Sequence, residues 1–426
     1  MNNLHLGLRI LIVLAQSIGV AVAQDGQKEK NIEIHGFLMG NLSGRTSGQG
    51  PGGKEGGGLI LGEERLRLDI YTWSESIEAS ARAKGDLLHD AVAEEFDVDL
   101  REAYLDYTTG DFDFRLGRQI ATWGVGDLIF INDVFPKDWV SFFSGRPLEY
   151  LKLGVDGLRT RYSSTPVNVE LLLMPSFEPD NIPTSERFFL FDPFSDVPSR
   201  DQEEPESTFS NTELAFRLYR RIGGFDVSAY AYRGFWRTPS MRPNDFAAPT
   251  RVTAFYPDLS VYGASAQGSA LSGILSFETG YYHSREDEAG ADPTIPNSQM
   301  RFLVAYQRQL WADFTLGVQY YTEVMEGYSA YKSSLAPGFS TDREYRDTVT
   351  LRFDQLLNHQ TLRLSLFTFY SPANDDYLIQ PQVSYKLSDN LSASLGANIF
   401  GGEKRTTFLG QLGKNDNIYL SVRFDF

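Results

Sequence analysis

Apolar and polar residues alternate with period two through most of this chain. Over residues 418–426, Ile418, Leu420, Val422, Phe424 and Phe426 fall on one face, and Tyr419, Ser421, Arg423 and Asp425 fall on the other. Successive side chains of a strand point to opposite sides, so each such segment carries one apolar and one wet surface. About eighteen segments of this kind can be read, each near the roughly 9–11 residues with which a tilted strand crosses a bilayer.

The connections between segments alternate in length. Short turns fall at 74–76, 109–111, 163–166, 223–224, 268–270, 310–313, 357–360 and 388–390. Longer polar stretches fall at 43–58, 86–94, 122–150, 175–208, 237–251, 285–298, 326–344 and 401–415, with a brief one at 371–376. This alternation predicts an all-β fold: a transmembrane antiparallel β-barrel of about eighteen strands, with short periplasmic turns and long extracellular loops. A barrel of that size leaves room for an aqueous channel. The fixed-period repeat that a propeller or solenoid needs is missing. Aromatic residues cluster where strands meet loops, as in Tyr71 and Trp73, Phe235-Trp236, Phe255-Tyr256, Tyr281-Tyr282, Trp311, Tyr320-Tyr321 and Phe369-Tyr370. They are expected to form girdles at the headgroup level.

Residues 1–23 contain Arg9, the apolar run Ile10 to Leu14 and the small-residue site Ala21-Val22-Ala23, the pattern of a secretory signal peptide. Residues 24–426 then form the barrel. No stretch after Ala23 approaches the roughly 20 apolar residues of a membrane-spanning helix. No long plug precedes the first strand at Ile32, which disfavours a gated receptor. A net charge of -17 argues against nucleic acid. The mean hydropathy of -0.29 suits a barrel, in which only alternate strand residues need be apolar.

Cysteine is absent, which removes disulfides, thiolate metal sites and thiol nucleophiles. His35, His89, His283 and His359 have no catalytic spacing, and the glycine runs near 52–58 lack the strand and helix of a nucleotide-binding turn. No enzyme activity and no cofactor are expected, and an outer-membrane hydrolase is the least favoured reading. Glu203, Glu204 and Glu206 read as solvated charge, with divalent-cation binding as the alternative.

Arg67, Arg217, Arg352, Arg363 and Arg423 each sit between apolar neighbours, so they are expected to face the lumen. Arg65, Arg101, Arg115 and Arg301 fit the same scheme. Guanidinium forks suit anionic groups better than ammonium does. Asp69, Asp99, Asp113, Glu213, Asp226, Glu278, Asp354 and Asp425 share the lumen in this reading, so mutual pairing is the alternative to an anion pathway.

The most distinctive segment runs from Arg115 to Trp139. It holds Gly117-Arg118-Gln119, Trp123-Gly124, and Asp133 ahead of Phe135-Pro136-Lys137-Asp138. It resembles a motif of porin-like Gram-negative outer-membrane families, including alginate-export-type channels and related uncharacterised proteins. The terminal strand resembles the C-terminal signal by which such barrels are selected for assembly. The resemblance implies that the third loop, 122–150, folds into the lumen, bringing Asp127, Asp133, Lys137, Asp138, Arg146 and Glu149 to a constriction. Gly124 and Gly126 allow a sharp turn there and Pro136 restricts it.

The expected function is that of an integral outer-membrane channel for passive passage of small solutes, anionic ones among them. Its surroundings would be outer-membrane lipid and lipopolysaccharide, and its assembly the work of the barrel assembly machinery. The alternative is a dedicated conduit for a polysaccharide, oligosaccharide or lipid-like molecule, working with periplasmic partners. Nothing in the sequence specifies an oligomeric state.

Overall fold

Eighteen strands pair in chain order and close on themselves. The wall begins with β1 (Ile32–Arg45), β2 (Leu59–Ser74), β3 (Ala79–Asp90), β4 (Glu95–Thr109), β5 (Phe112–Gln119), β6 (Val155–Tyr162) and β7 (Asn168–Met174). It continues through β9 (Glu213–Ile222), β10 (Phe225–Phe235), β13 (Asp258–Ala270), β14 (Gly273–Ser284), β15 (Gln299–Trp311) and β16 (Phe314–Met325). It ends with β17 (Tyr345–Leu357), β18 (Leu362–Ser371), β19 (Asp376–Lys386), β20 (Leu391–Gly402) and β21 (Asn417–Asp425). All neighbours are antiparallel, and β21 pairs back onto β1 from Phe37↔Asp425 to Arg45↔Asn417. Three short strands, β8 (Ser199–Glu203), β11 (Ser240–Pro243) and β12 (Arg251–Phe255), make a separate sheet within the loops. The computed structural model describes residues 32–51, 58–74, 78–336 and 339–426; the expected signal peptide at 1–23 lies outside them.

Phe426 takes part in closing the seam. Gly36 and Phe426 exchange two backbone hydrogen bonds of 3.0 Å, and a side chain at Gly36 would sit 2.6 Å from the Phe426 ring. Along β21, Ile418, Leu420, Val422 and Phe424 point outward and are exposed, while Tyr419 and Ser421 are buried inside. A closed ladder satisfies backbone groups that hydrocarbon cannot, and the outer apolar belt matches the bilayer core. The protein is therefore a transmembrane β-barrel of the outer-membrane type, integral to that membrane. Among the described residues no helix is long and apolar enough to cross a membrane.

Eight turns and nine loops join the wall strands at its two ends. Two expected connections are corrected by the structure. The stretch 86–94 is not a long loop: β3 continues to Asp90 because Asp86 is buried in the lumen between Arg65 and Arg67, leaving only residues 91–94 as the connection. The turn expected at 268–270 lies at Leu271 and Ser272, with φ of 54° and 61°, because Ala270 still pairs with Gly273. Two positive φ values suit the twist of a two-residue hairpin even without glycine.

The aromatic pairs also divide differently from expectation. In a strand, adjacent residues face opposite ways, so Tyr320 and Tyr370 point out while Tyr321 and Phe369 pack inside against the buried core. Tyr282, Phe255 and Tyr256 are buried as well. Tyr71 and Trp73 share the inner face of Arg67 and Asp69, so only Tyr281, Trp311, Tyr320 and Tyr370, about a third of these rings, point outward as a girdle requires.

The register yields a direct test on β20. Leu395 is exposed and lies between Val383 and Leu420 on the outer face, whereas its neighbour Ser394 faces the lumen and bonds to Ser384 at 2.8 Å. Leu395→Arg is expected to cost about 2–4 kcal/mol of insertion free energy near the midplane, and Ser394→Arg far less. Heat-modifiable mobility after refolding into vesicles measures both, and equal yields would contradict this register.

Candidate functional site

The connection from β5 to β6, residues 120–154, enters the barrel. Its departure point is Gly117-Arg118-Gln119. Gly117 has φ of 127° and presses on the Ala103 carbonyl, where a Cβ has no space. Arg118 Nε donates to the Leu100 carbonyl at 2.8 Å, and the buried Gln119 donates to the Gly157 carbonyl at 3.3 Å. The wall strand ends here and the chain turns inward. Gly124, with φ of 79°, makes the next bend against a carboxylate.

That carboxylate belongs to Glu278 on β14. Its two oxygens accept from Val125 N at 2.7 Å, Gly126 N at 3.0 Å, Asn132 N at 2.8 Å and Asn132 Nδ2 at 2.9 Å. Hydrogen bonds to a charged acceptor are the stronger kind, and Glu278 is only 3% exposed. Nearby, Asp127 pairs with Arg352 on β17, and its backbone exchanges two 2.7 Å bonds with the Gln319 amide on β16. Tyr282 donates to the Ile131 carbonyl at 2.5 Å.

The loop then reaches the far wall. The Phe143 carbonyl accepts from Asn398 on β20 and Asn417 on β21, each at 3.1 Å. Arg146 pairs with Glu63 on β2 at 2.7 Å, and Glu149 binds both Arg67 and Arg423, the latter at 2.9 Å. The buried Tyr150 ring lies under the guanidinium groups of Arg65, Arg67 and Arg101 at 4.2, 5.0 and 5.2 Å. In ring order β14 and β2 stand nine places apart among eighteen strands. The two anchors are therefore on opposite walls, and the loop crosses the lumen.

Its middle is a buried polar knot within an aromatic shell. Lys137 Nζ donates to Asp133 at 2.9 Å and to the Phe135 carbonyl at 2.6 Å, and Lys152 reaches the same Asp133 at 2.8 Å. Asp180, from the following loop, accepts from Lys137 N at 2.8 Å and from Trp139 Nε1 at 3.1 Å. Burial pushes the Lys137 ammonium below its ordinary value and the Asp180 carboxyl above its own. Asp138 caps the short helix Trp139–Ser144 by accepting from Ser141 N at 2.7 Å.

The six charged loop residues thus fall into three places: Asp127 at one wall, Arg146 and Glu149 at the other, and Asp133, Lys137 and Asp138 between. They hold the loop, and their salt bridges join them to the wall or to one another. The wall arginines are similarly engaged. Arg65 and Arg67 share Asp86, Arg115 binds Asp106 at 2.6 Å, and Arg301 lies 3.4 Å from Glu323. Arg352 binds Asp127, Arg363 binds Asp354 at 2.6 Å, and Arg423 binds Glu149 and Asp425. Arg101 donates to two loop carbonyls at 2.8 Å. Arg217 donates to Ser228 Oγ at 3.1 Å and stacks on Tyr219 at 4.5 Å.

A cavity of about 610 Å³ opens against the loop. A third of its lining is aromatic, with Phe130, Trp139, Phe142, Trp236, Tyr321 and Phe369 among the rings, and Arg301, Glu323 and Arg346 supply charge on one side. Sequence reading placed Glu278 in the lumen but not its loop partners, and found neither this cavity nor the Asn398 and Asn417 anchors. Lone polar residues inside period-two strands were the available signal. Among the described residues no group of acidic or histidine side chains could hold a metal ion.

Solved structures with the same architecture include Pseudomonas aeruginosa OccD3 (OpdP), at 10% identity and a TM-score of 0.55 over 93% of this chain and 91% of that one. Acinetobacter baumannii OccAB3 gives 8% identity and a TM-score of 0.54 over 93% and 99%. Pseudomonas aeruginosa OccK11 (OpdR) gives 9% and 0.52 over 93% and 96%. At these identities the likeness is one of fold. No curated protein sequence matches the chain. A family profile matches residues 74–289, more than half of the length, and the protein belongs to the family described as Protein of unknown function (DUF1302).

Proposed function

We propose that this protein is a narrow, selective outer-membrane channel whose path is what the third loop leaves open. The observation that carries this reading is the loop's attachment to opposite walls by buried carboxylates. A loop held by bonds of this kind is a fixed partition, since breaking a buried pair leaves an uncompensated charge. Passage then occurs through permanent gaps beside it, without a gate.

The solute class follows from the lining. Pockets of about 300–1,000 Å³, apolar with a few placed polar groups, are the usual form of small-molecule sites. The aromatic cavity has that form, and we assign it to recognition of a small solute with an unsaturated or apolar body. An anionic group on the solute would meet Arg301 and Arg346. The fold likeness to Occ barrels and the likeness of the third loop to alginate-export-type channels support this reading. A signal peptide at 1–23 belongs to it as well. Single-channel recording tests it: wild-type conductance should lie well below that of an open eighteen-stranded barrel, and a wide, unselective pore would overturn it.

Selectivity gives a further prediction. Because Arg67 and Arg352 each neutralise loop carboxylates, Arg67→Gln with Arg352→Gln should leave Asp86, Glu149 and Asp127 in excess. Reversal potentials in a salt gradient should move towards cations. The effect should fade as the Debye length falls from about 30 Å at 0.01 M to about 3 Å at 1 M. No movement at low salt would place the conducting path away from both walls.

A further inference from the structure

The wall has a notch beside β4. β4 pairs with β3 from Ala79↔Tyr107 to Asp90↔Glu95. On its other side it pairs with β5 only from Thr109↔Phe112 to Ala103↔Arg118. Among the described residues no strand covers the β5-side edge of residues 95–102. The next strands are also short: β5 and β6 have 8 residues and β7 has 7, against 15 in β4. Eight residues rising about 3.3 Å each at a tilt near 45° climb roughly 19 Å, less than the roughly 25 Å apolar band.

The parting coincides with an irregularity in the ladder. Lys84 pairs with Glu102 and Gly85 with Leu100, so Arg101 is an extra residue in β4. Such a bulge bends its strand and raises the local twist. Arg101 and Arg118 then hold the two sides of the gap, Arg101 by the carbonyls of Glu149 and Lys152 and Arg118 by the carbonyl of Leu100.

The gap leads somewhere. A second cavity, of about 730 Å³, is lined by Arg65, Arg146 and Tyr150 from the lumen and also by Val98 and Leu100. Those two residues face outward and are 67% and 48% exposed. They belong to the lipid-facing belt, since Val98 pairs with Leu87 and Leu87 with Leu66 across the outer face. Residues 97–100 line it in succession along the unpaired side of β4, so the cavity reaches the open edge of the strand. Irregular or unpaired backbone at membrane depth is tolerated where it lines such a cavity.

We propose that this notch is a lateral portal, by which a single-chain amphiphile with an amine-bearing head passes between the cavity and the outer leaflet. The apolar body would lie along Val98 and Leu100. The head is chosen by charge: four arginines line the cavity against seven carboxylates. Two of those carboxylates, Glu95 and Asp97, sit on the open edge of β4 and have no cation partner among the described residues. An anionic head would be repelled at the mouth, and an amine would be drawn in.

The absence of cysteine makes single-cysteine reporters clean. Full-length protein carrying a fluorophore at Leu153→Cys, inside the cavity, is reconstituted in phosphatidylcholine vesicles. Asp156→Cys serves as a second cavity reporter should the first fail to fold. Gln382→Cys, on the paired β19 wall, is the control. Nitroxide-bearing dodecylamine should quench the cavity reporter several-fold more than the control, and nitroxide-bearing laurate should not. Glu95→Gln with Asp97→Asn should abolish the preference for the amine. Equal quenching at cavity and control, or quenching only by a water-soluble nitroxide, would overturn the portal; equal quenching by amine and laurate would overturn the assigned head group. Ion conductance along the lumen is read separately, so the channel reading and the portal can fail independently.

Discussion

Replacing Glu278 by alanine is expected to release one end of the third loop and raise single-channel conductance several-fold. The four N–H groups that converge on this carboxylate come from Val125, Gly126 and Asn132, in the stretch that makes the loop's first bends. A buried donor left without an acceptor costs about 1–3 kcal/mol, so the bound arrangement loses several kcal/mol unless water enters. Water can fill the space the carboxylate leaves, but it lacks the charge that held the four donors, so the loop is bound less firmly to β14. Glu278→Gln keeps one acceptor oxygen but turns an NH₂ group towards backbone donors, and should give an intermediate conductance. Assembly should survive both changes, since the β14 ladder uses backbone groups. Outside-added protease offers a second readout, because a detached loop becomes cleavable within 120–154. Unchanged conductance and unchanged protease resistance in Glu278→Ala would mean that the remaining anchors at Asp127 and at β2 suffice.

The barrel was legible in the sequence because its constraint is periodic and repeated. Ile418 to Phe426 must alternate to face lipid and water, and each other strand repeats that requirement, so small errors at 86–94 or 268–270 leave the topology intact. The departure of the third loop was legible for a different reason. Gly117 and Gly124 occupy backbone conformations that favour glycine, and such positions mark a chain that must turn.

What could not be read was partnership. Arg67 and Arg352 were assigned to the lumen by their apolar neighbours, yet the alternation gives a direction and not a partner. Their carboxylates lie on β3 and on the loop, at Asp86 and Asp127, distant in sequence. The aromatic pairs illustrate the same limit. Tyr320-Tyr321 and Phe369-Tyr370 look like interfacial anchors, but one ring of each pair must point inward, and together the inward rings build the cavity. The notch beside β4 is a matter of where pairing stops. The Arg101 bulge that sets it has no signature in composition or periodicity.

Deleting residues 128–144 is expected to have the larger effect on the pore. The segment includes the helix Trp139–Ser144 and the Asp133 and Lys137 knot, and it carries the loop from the β14 anchor to β20 and β21. Its removal joins Asp127 directly to Gly145 and takes away the two donors of Asn132, so the shortened chain cannot reach both walls and must release at least one of its anchors at β14 and β2. The aromatic core of the lumen would be exchanged for water, and conductance should rise towards that of an open barrel. Loops tolerate such deletions better than strands do, and the ladder from β1 to β21 does not pass through the segment. Heat-modifiable mobility should therefore remain while selectivity is lost, together with any binding of aromatic solutes at the 610 Å³ cavity. A deletion variant that assembles and conducts no better than wild type would place the obstruction elsewhere, in the 175–212 loop that meets this segment at Asp180 and Asn181.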